Sequence, residues 1–563
     1  TFLSSVTTFA RYLSADERII SKQGSVMAIS GIMARLHAEK RLKCFTSLSA
    51  IENSAKSAYE TIAQLASSEV TPETLEESSL SLEPSVLKDK IDDLALIYRE
   101  YSLFLSENGY LDESKYLALL PERIRNNPEI KNANVFFLCY TSFTVQAMKA
   151  VRSAIENARN VIGIFCSGKE ELYTNKARDI FRRVCAEYGD VKTLDLGSQI
   201  GGEAEILRKG LYDPDCLKGT GTPTDKISLY EASDLWDEIE YVAIQIKKNL
   251  QEKGLRYRDF ALLVPNTNEY SLPVKRAFDE YGIPCFFDEK KSLRKHPVSA
   301  FLLGALEVVR ERFSPASVQA LAQNVLFGES DEYRNYLLKY ANYRGGALKE
   351  IKETDAFDLE KVKSGKIRLE KATKNIKRKG QGREFCVAIK NLIKDFDIEN
   401  QLNSLTEQVE DVSMRGYLSQ IFGALQRVLD EAELLTADRE MSVAEFEVVL
   451  SEGLDATELS LIPLKTDAVF VGDISSSRIE KVNVLFVAGL TDAVPYNAED
   501  TALVSDKEIA RLAEVKTLIE PTVAEVNLRT RESVCLNLCT FTDRLYLSYP
   551  LGADGTKPTT SEV

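Results

Sequence analysis

A strand–helix–strand pattern near the middle of the chain constrains the fold most strongly. Ile227–Ala232 and Phe260–Val264 are apolar runs of strand length, and Ser233 or Asp234 is placed to cap a helix between them that ends near Gly254. Apolar residues recur at helical spacing in that helix, at Ile239, Val242, Ala243, Ile246 and Leu250. Two strands joined by a helix pair in parallel, so the pattern predicts an α/β fold.

Similar alternation on both sides predicts a larger α/β protein interrupted by helices. Strand-like runs lie at 135–140, 161–166, 191–196, 468–471, 484–488 and 545–548. The sequence therefore predicts this plan: a helical block at 1–130, part of a first α/β domain at 131–217, a linker at 218–225, the first part of a second α/β domain at 226–305, a helical insertion at 306–460, and the last part of the second domain at 461–563.

Composition excludes several classes of protein. No apolar run approaches the ~20 residues that span a bilayer, so we expect no membrane partner. His37 and His296 are the two histidines, and neither has a second ligand at metal spacing, which disfavours histidine-based catalysis and metal binding. Nine scattered cysteines are typical of a reducing cytoplasm, and Cys535 and Cys539 read as buried thiols.

Charge is segregated along the chain. The net charge of −15, from 71 Lys and Arg against 86 Asp and Glu, is a poor global match to a polyanion. Residues 361–394 nevertheless carry a net charge of +10, so the remainder carries −25. This basic segment is either a phosphate-contact surface or a solvated helix paired with the acidic segment 395–458, whose net charge is −13. The sequence leaves both interpretations open.

Two other motifs invite a phosphate interpretation. Gly163, Gly168 and Lys169 match part of a phosphate-binding loop, but Glu170 stands where Ser or Thr would bind Mg²⁺, so we interpret the segment as a strand and turn. A Ser-Ser-Ser-Arg loop lies between two strands of 468–495, and its hydroxyl and guanidinium groups can donate to phosphate. On the residues alone, an ordinary surface loop is the simpler interpretation.

Several segments occur along the chain in an order that is typical of a known family. The succession of segments 234–266, 281–302, 468–495 and 531–550 resembles superfamily 1 helicases of the UvrD and RecB type. Segments 90–112 and 134–146 look like AddB, the helicase-like subunit of the AddAB ATP-dependent helicase and nuclease. The resemblance implies two RecA-like (P-loop NTPase-type) parallel-sheet domains, each with a helical insertion, in an internal fragment of a longer protein.

Several positions depart from the motifs of that family, including Ser475 for the usual His and Arg478 for the usual Lys of the segment 468–495. Cys139 and Tyr140 stand at the strand end where an Asp-Glu pair would hold Mg²⁺. Pro265 replaces a phosphate-sensing arginine, and Thr540 replaces the second arginine of the final motif. Loss of one such arginine costs ~10³ or more in turnover. The resemblance therefore implies a degenerate motor with no catalytic and no cofactor-binding residues in this chain, whose phosphate loop would lie upstream if it exists.

The resemblance also implies DNA as the ligand. We expect phosphate contacts from Ser475, Ser476, Ser477, Arg478, Lys374, Lys377, Arg378 and Lys379. The implied setting is double-strand break repair and recombination in the bacterial cytoplasm, on DNA ends and single strands, with an AddA-type subunit supplying ATP hydrolysis. ATP with Mg²⁺, a nuclease domain and an iron–sulfur cluster are implied for the parent protein only. An active translocase and a non-catalytic scaffold for a partner protein remain alternatives.

Overall fold

The computed structural model describes residues 5–13, 17–52, 54–165, 176–197, 202–211, 224–340, 351, 354–409, 412–460, 467–496, 503–515, 517–552, 557–559 and 561. The chain divides into two compact units. The helical unit comprises Thr1–Ala118, Lys290–Leu459 and Ala502–Ile519, and the α/β unit comprises Leu119–Glu289, Ser460–Thr501 and Glu520–Val563.

The helices within the described residues are α1 Val6–Tyr12, α2 Lys22–Ala38, α3 Leu48–Glu52, α4 Ala55–Ser67, α5 Pro72–Leu80, α6 Val86–Asn108, α7 Glu113–Asn126, α8 Pro128–Lys131, α9 Val145–Asn157, α10 Lys176–Tyr188, α11 Glu203–Gly210, α12 Leu235–Lys253, α13 Thr267–Glu280, α14 Pro297–Arg310, α15 Pro315–Gln323, α16 Asp331–Tyr340, α17 Leu359–Thr373, α18 Gly382–Asp395, α19 Ile398–Gln408, α20 Val412–Thr436, α21 Val443–Ala456, α22 Asp506–Glu514 and α23 Val523–Leu538.

The strands are β1 Arg18–Ile19, β2 Tyr110–Leu111, β3 Asn134–Leu138, β4 Asn160–Ile164, β5 Ile227–Ala232, β6 Phe260–Val264, β7 Cys285–Phe287, β8 Lys290–Ser292, β9 Lys379–Gln381, β10 Glu440–Ser442, β11 Glu458–Ser460, β12 Val469–Asp473, β13 Val482–Val487 and β14 Phe541–Pro550.

A six-stranded parallel sheet organises the α/β unit, with the strand order β5-β14-β13-β6-β12-β7. Successive side chains of β6 enter opposite cores because strand side chains alternate between the two faces. Phe260 and Leu262 pack in the core that contains α12 and α13, whereas Ala261 and Leu263 pack in the core that contains α11 and α23. The fold class is therefore α/β, with helices covering both faces of the sheet.

The predicted strand–helix–strand unit is confirmed. The Asp234 carboxylate accepts hydrogen bonds from the backbone N–H groups of Trp236 and Asp237, at 2.8 and 2.9 Å, and so begins α12. Gly254 ends the helix with a φ of +65°, a conformation that glycine adopts without steric cost.

The first α/β segment is smaller in the structure than its sequence pattern indicates. β3 and β4 pair in parallel, with Asn134 opposite Asn160. The strand predicted at 191–196 is wrong, because residues 191–197 form no strand and Leu194 and Leu196 are 82% and 68% exposed. An apolar run becomes a strand only when a neighbour supplies the ladder. Two RecA-like domains accordingly stay a prediction. Of the predicted linker 218–225, residues 218–223 lie outside the described residues.

Segments distant in the sequence share the core of the helical unit. Helix α2 is buried along most of its length and packs against α21. The Arg439 guanidinium donates a 2.7 Å hydrogen bond to the carbonyl of Gly31. Ser21 donates through its N–H and its hydroxyl to the Glu431 carboxylate, at 3.1 and 2.7 Å. The predicted helical regions 1–130 and 306–460 therefore contribute to one compact unit.

Candidate nucleic-acid interface

One edge of the six-stranded sheet gathers several motif positions that the sequence singled out. Because all six strands are parallel, their carboxyl ends lie at the same edge, where open α/β sheets bind ligands. Pro265 follows β6, Asp288 follows β7, and the loop 475–478 follows β12. Gly489 lies two residues beyond the end of β13. We call this arrangement the carboxyl edge.

Several polar groups of the Ser-Ser-Ser-Arg loop are hydrogen-bonded within the protein. The Asp473 carboxylate accepts hydrogen bonds from the backbone N–H groups of Ser475 and Ser476, both at 2.8 Å. The Ser477 hydroxyl donates to Asp288 at 2.8 Å and accepts from the Asp473 N–H at 3.0 Å. These bonds fix the conformation of the turn, and they engage the Ser477 hydroxyl within the protein.

Asn537 on α23 fixes the same loop from the protein interior. Its buried side-chain amide donates to the carbonyls of Ile474 and Ser477, at 2.7 and 2.9 Å. Ser476 and Arg478 are exposed, whereas Ser477 is 3% exposed. Of the four loop residues predicted to bind DNA, these two therefore face solvent most fully.

A buried carboxyl group ties the neighbouring turn to two helices. Glu238 on α12 is fully buried and accepts from the Gly489 N–H at 2.9 Å and from the Tyr270 hydroxyl at 3.0 Å. Burial, the largest influence, raises the pKa of Glu238 above its ordinary value, while these hydrogen bonds lower it. Gly489 has a φ of +71°, and a Cβ there would lie 2.5 Å from the Tyr270 hydroxyl oxygen and 2.8 Å from the Pro265 ring.

The degenerate motif positions occupy two strand ends and a helix end. Thr540 follows α23, and its hydroxyl donates to the Asn537 carbonyl at 2.6 Å. Cys139 follows β3, is exposed and has a φ of +55°. Tyr140 is half-buried and its ring stacks on Phe143, with centroids 4.9 Å apart. Of the partial phosphate-loop match, Gly163 lies on β4, whereas Gly168, Lys169 and Glu170 lie outside the described residues.

Neither a cluster of metal-binding side chains nor a membrane-spanning helix occurs in the part of the chain that the structure describes. No group of three or more His, Cys, Asp and Glu side chains suited to a metal ion occurs among those residues. Cys535 and Cys539 are both buried, and the Cys539 thiol donates to the Ala204 carbonyl at 3.3 Å. Among the described helices, none is long and apolar enough to cross a bilayer.

Cations concentrate on the exposed sides of α17, β9 and α18. The basic surface is defined by Lys363, Lys371, Lys374, Lys377, Arg378, Lys379, Arg383, Lys390 and Lys394. On each helix an exposed apolar residue lies within the row of cations, Ile367 on α17 and Val387 on α18, with exposures of 62% and 47%. The apolar residues of the same helices, such as Leu369 and Phe385, are buried, so each helix is amphipathic.

Several cations of the basic surface are held by carboxylates. Lys379 lies 3.6 Å from Glu440, and Arg383 lies 3.4 Å from Asp438. Lys390 contacts both Asp430 at 2.9 Å and Glu433 at 2.7 Å, and Lys377 lies 2.6 Å from Glu384. Except for Glu384, these acids belong to the acidic segment 395–458. We call Lys379, Arg383 and Lys390, which contact that segment, the guarded cations.

Other cations of the same surface are open. Lys374, Arg378 and Lys394 are exposed and form no ion pair with any residue that the structure describes. Of the four cations in the basic segment 361–394 that were predicted to bind DNA, Lys374 and Arg378 thus belong to the open set. Lys394 was not among the predicted contacts, although its place in the +10 segment was a signal for it.

Asn537, Asp288 and Glu238 were also missed by reasoning from the sequence. Asn537 and Asp288 lie 60 and 189 residues from Ser477, and Glu238 lies 251 residues from Gly489. Such separations leave no local pattern. The available signal for Glu238 was its spacing, because an acid four residues before Val242 lies on the apolar face of α12.

The fold and these surfaces define a protein with two units: one is built on a parallel α/β sheet, and the other is helical and bears a basic surface. Comparison with known proteins indicates which family the chain resembles. The family model described as "ADDB, N-terminal" matches residues 6–211. The chain is AddB-like, since similarity to proteins named as the B subunit of an ATP-dependent helicase/deoxyribonuclease covers about nine-tenths of its length.

Individual relatives show the extent of this similarity. The protein of that name from Alkaliphilus oremlandii is 26% identical over 562 residues, which cover 91% of this chain and 48% of the relative. Its counterpart from Geobacillus kaustophilus is 27% identical over 84% of this chain and 44% of the relative, and that from Bacillus cereus (strain AH187) is 26% identical over 85% and 45%. The chain spans about half the length of the curated relatives it matches.

Proposed function

We propose that this chain is the helicase-like, DNA-binding part of an AddB-type subunit and that it does not itself hydrolyse ATP. The observation that carries the DNA-binding proposal is the basic surface, whose open cations Lys374, Arg378 and Lys394 are accessible to phosphate in a chain of net charge −15. Cations that neutralise backbone phosphates release counterions and so produce salt-sensitive affinity without base recognition.

The ATPase part of the proposal rests on the chemistry of the motif positions. Pro265 has neither an N–H donor nor a charge, and the Thr540 hydroxyl is engaged with the Asn537 carbonyl. Cys139 and Tyr140 offer no carboxylate for Mg²⁺. These side chains do not fit a triphosphate with its metal ion, so we derive no catalytic step through ATP.

The complete protein is a further part of the proposal. The relatives are named as the B subunit of an ATP-dependent helicase/deoxyribonuclease, and we infer the same role for the parent of this chain. It would act in the bacterial cytoplasm on double-strand ends and single strands during break repair and recombination, with an AddA-type subunit as the motor. Any nuclease domain, iron–sulfur cluster or functional ATP site would belong to other parts of that assembly.

DNA binding by the purified chain tests the proposal directly. Fluorescence anisotropy with a forked oligonucleotide at about 100 mM NaCl should give an affinity that falls steeply with salt. The variant Lys374→Gln, Arg378→Gln, Lys394→Gln should weaken binding roughly 10- to 100-fold, because about three phosphate contacts are lost.

The matched control removes three exposed cations elsewhere in the helical unit, by Lys22→Gln, Lys295→Gln and Lys339→Gln. It makes the same change in net charge and should alter affinity less than threefold. Equal losses in the two variants would contradict a defined DNA surface. Absence of DNA binding at low salt would instead favour a scaffold for a partner protein.

ATP turnover tests the second part. The purified chain, mixed with Mg-ATP and the forked DNA, should release phosphate no faster than a buffer blank. DNA-stimulated turnover that co-purifies with the chain would refute the degenerate assignment and favour an active translocase.

A further inference from the structure

Carboxylate side chains of the same unit lie beside some cations of the basic surface. The strand pair β9–β10 is antiparallel, with Lys379 opposite Ser442 and Gln381 opposite Glu440. This register places the Glu440 carboxylate diagonally across from Lys379, at 3.6 Å from the ammonium nitrogen. The acid is therefore held beside the cation by the ladder itself.

The turn between α20 and β10 is fixed in the same way. The backbone N–H of Gly382 donates to the Arg439 carbonyl at 2.9 Å, and that of Arg383 donates to the Ala437 carbonyl at 3.2 Å. Asp438 lies between these two acceptors, and its carboxylate is 3.4 Å from the Arg383 guanidinium. Backbone hydrogen bonds thus place both acids against the beginning of α18.

We propose that Asp438 and Glu440 form a built-in competitor for DNA phosphate at the basic surface, occupying Arg383 and Lys379 until DNA displaces them. The inference rests on the proposed DNA-binding function and names a regulating element of that same site. Carboxylates and phosphate oxygens accept the same N–H groups of arginine and lysine, so both cannot hold one cation in the same geometry.

The exposure of the two pairs makes displacement feasible. The side chains of Arg383 and Asp438 are 57% and 89% exposed, and those of Lys379 and Glu440 are 71% and 70% exposed. Ion pairs this exposed contribute little to stability and are screened by salt. Lys390 differs, because two carboxylates hold it and its own exposure is 40%. It should therefore stay paired when DNA binds.

The open and guarded cations then have separate roles. Lys374, Arg378 and Lys394 bind DNA phosphate directly. Arg383 and Lys379 contribute only the binding free energy that remains after the cost of displacing their acids. The competitor lowers affinity for a general polyanion, and the loss is greatest at low salt, where carboxylate pairs are least screened.

The experiment compares two variants that each remove two acids. Asp438→Asn with Glu440→Gln should bind the forked oligonucleotide about three- to tenfold more tightly than the unmodified chain at 50 mM NaCl, and the gain should fall below twofold at 300 mM. The control, Glu39→Gln with Glu60→Gln, removes two ion-paired acids of the helical unit that are 42% and 51% exposed. It should change affinity less than twofold.

A second measurement separates competition from net charge. Lys379→Gln with Arg383→Gln should weaken binding more in the Asp438→Asn, Glu440→Gln background than in the unmodified chain, because only then are both cations available. Equal tightening by the two acid variants, or equal losses in the two backgrounds, would overturn the competitor.

The two proposals fail in different ways. If the unmodified chain binds DNA and the acid variant does not bind more tightly, the competitor is wrong and the DNA-binding function stands. If neither the unmodified chain nor any variant binds at 50 mM NaCl, both are overturned. Circular dichroism of each variant should match the unmodified chain, since every backbone contact of β9 and β10 is retained.

Discussion

The loop that follows β12 and the basic surface of α17 and α18 both carry polar side chains, but they place them differently. In the loop, the Ser477 hydroxyl, the Asp473 carboxylate and two carbonyls are hydrogen-bonded within the α/β unit. On the basic surface the cations lie at the exterior, where Lys374 and Arg378 are open and Lys379 and Arg383 form exposed ion pairs.

This contrast separates polar groups that stabilise the fold from cations that can bind an anion. A polar side chain bonded inside its own fold contributes to stability, and its loss is measured as unfolding. An exposed cation contributes little to stability, and its loss is measured as weaker binding of an anion. Variants that disturb internally bonded or closely packed groups at the carboxyl edge should therefore destabilise the protein, and variants of the exposed cations should not.

Gly489 provides the largest expected effect. Gly489→Ala should lower the free energy of unfolding by about 3 kcal/mol, because the left-handed φ and the contacts with Tyr270 and Pro265 act together. Urea unfolding followed by fluorescence measures this, since the one tryptophan, Trp236, lies in the first turn of α12 in the α/β unit.

The control is Gly254→Ala, which has a similar φ of +65° but no atom within 4 Å of the new Cβ. It should cost only about 1 kcal/mol. Equal losses in the two variants would show that the close approach at the carboxyl edge has no energetic role.

Asn537 gives the next largest effect. Asn537→Ala removes both donors that fix the loop and leaves the carbonyls of Ile474 and Ser477 buried, so we expect a loss of about 2 kcal/mol in the same unfolding measurement. Asn268→Ala on the exposed start of α13 should change stability by less than about 0.5 kcal/mol. A destabilisation no greater than that of the control would show that Asn537 does not stabilise the loop.

Glu452 is a buried acid in the interior of the helical unit, where its ionisation affects stability. Burial, followed by the nearby Asp455 charge, raises the pKa of Glu452 to about 8. The stability that comes from protonated Glu452 is fully present below an ordinary carboxyl pKa of 4.5 and is lost as the pH rises through about 8. Between these values the loss approaches 1.4 kcal/mol for each pH unit.

Glu452→Gln should therefore flatten the fall in thermal stability between pH 6 and pH 8, measured by circular dichroism of the helices. Glu458→Gln, an exposed acid at the start of β11, should leave the fall unchanged. A pH profile of Glu452→Gln that parallels the unmodified chain would mean that Glu452 does not hold its proton in the folded protein.

Local patterns predicted local structure well. The caps of α12, the apolar stripe of Ile239, Val242 and Ile246, and the bounds of β5 and β6 follow from neighbouring residues, whose propensities and spacing act over one or two turns. The run at 191–196 has the same local pattern, yet it forms no strand, because strand formation depends on a partner that the run itself does not encode.

The candidate site was less accessible from the sequence. Charge counting located the basic segment and its acidic counterpart, but it could not divide Lys374 and Arg378 from Lys379 and Arg383. That division depends on the β9–β10 register and on the turn at Asp438, which are tertiary features. The inward use of Ser477 likewise depends on Asp288, a residue 189 positions away.

Arg478 provides the smallest expected effect and the closest test of the contrast. It is the exposed cation of the loop, so Arg478→Gln should lower affinity for the forked oligonucleotide two- to threefold at 100 mM NaCl, as expected for about one phosphate contact. The slope of log affinity against log salt should decrease by no more than about 0.9. A loss equal to that of the Lys374, Arg378 and Lys394 variant would mean that the carboxyl edge, rather than the basic surface, is the principal DNA contact. The internal hydrogen bonds of the loop would then serve to hold Arg478 for phosphate.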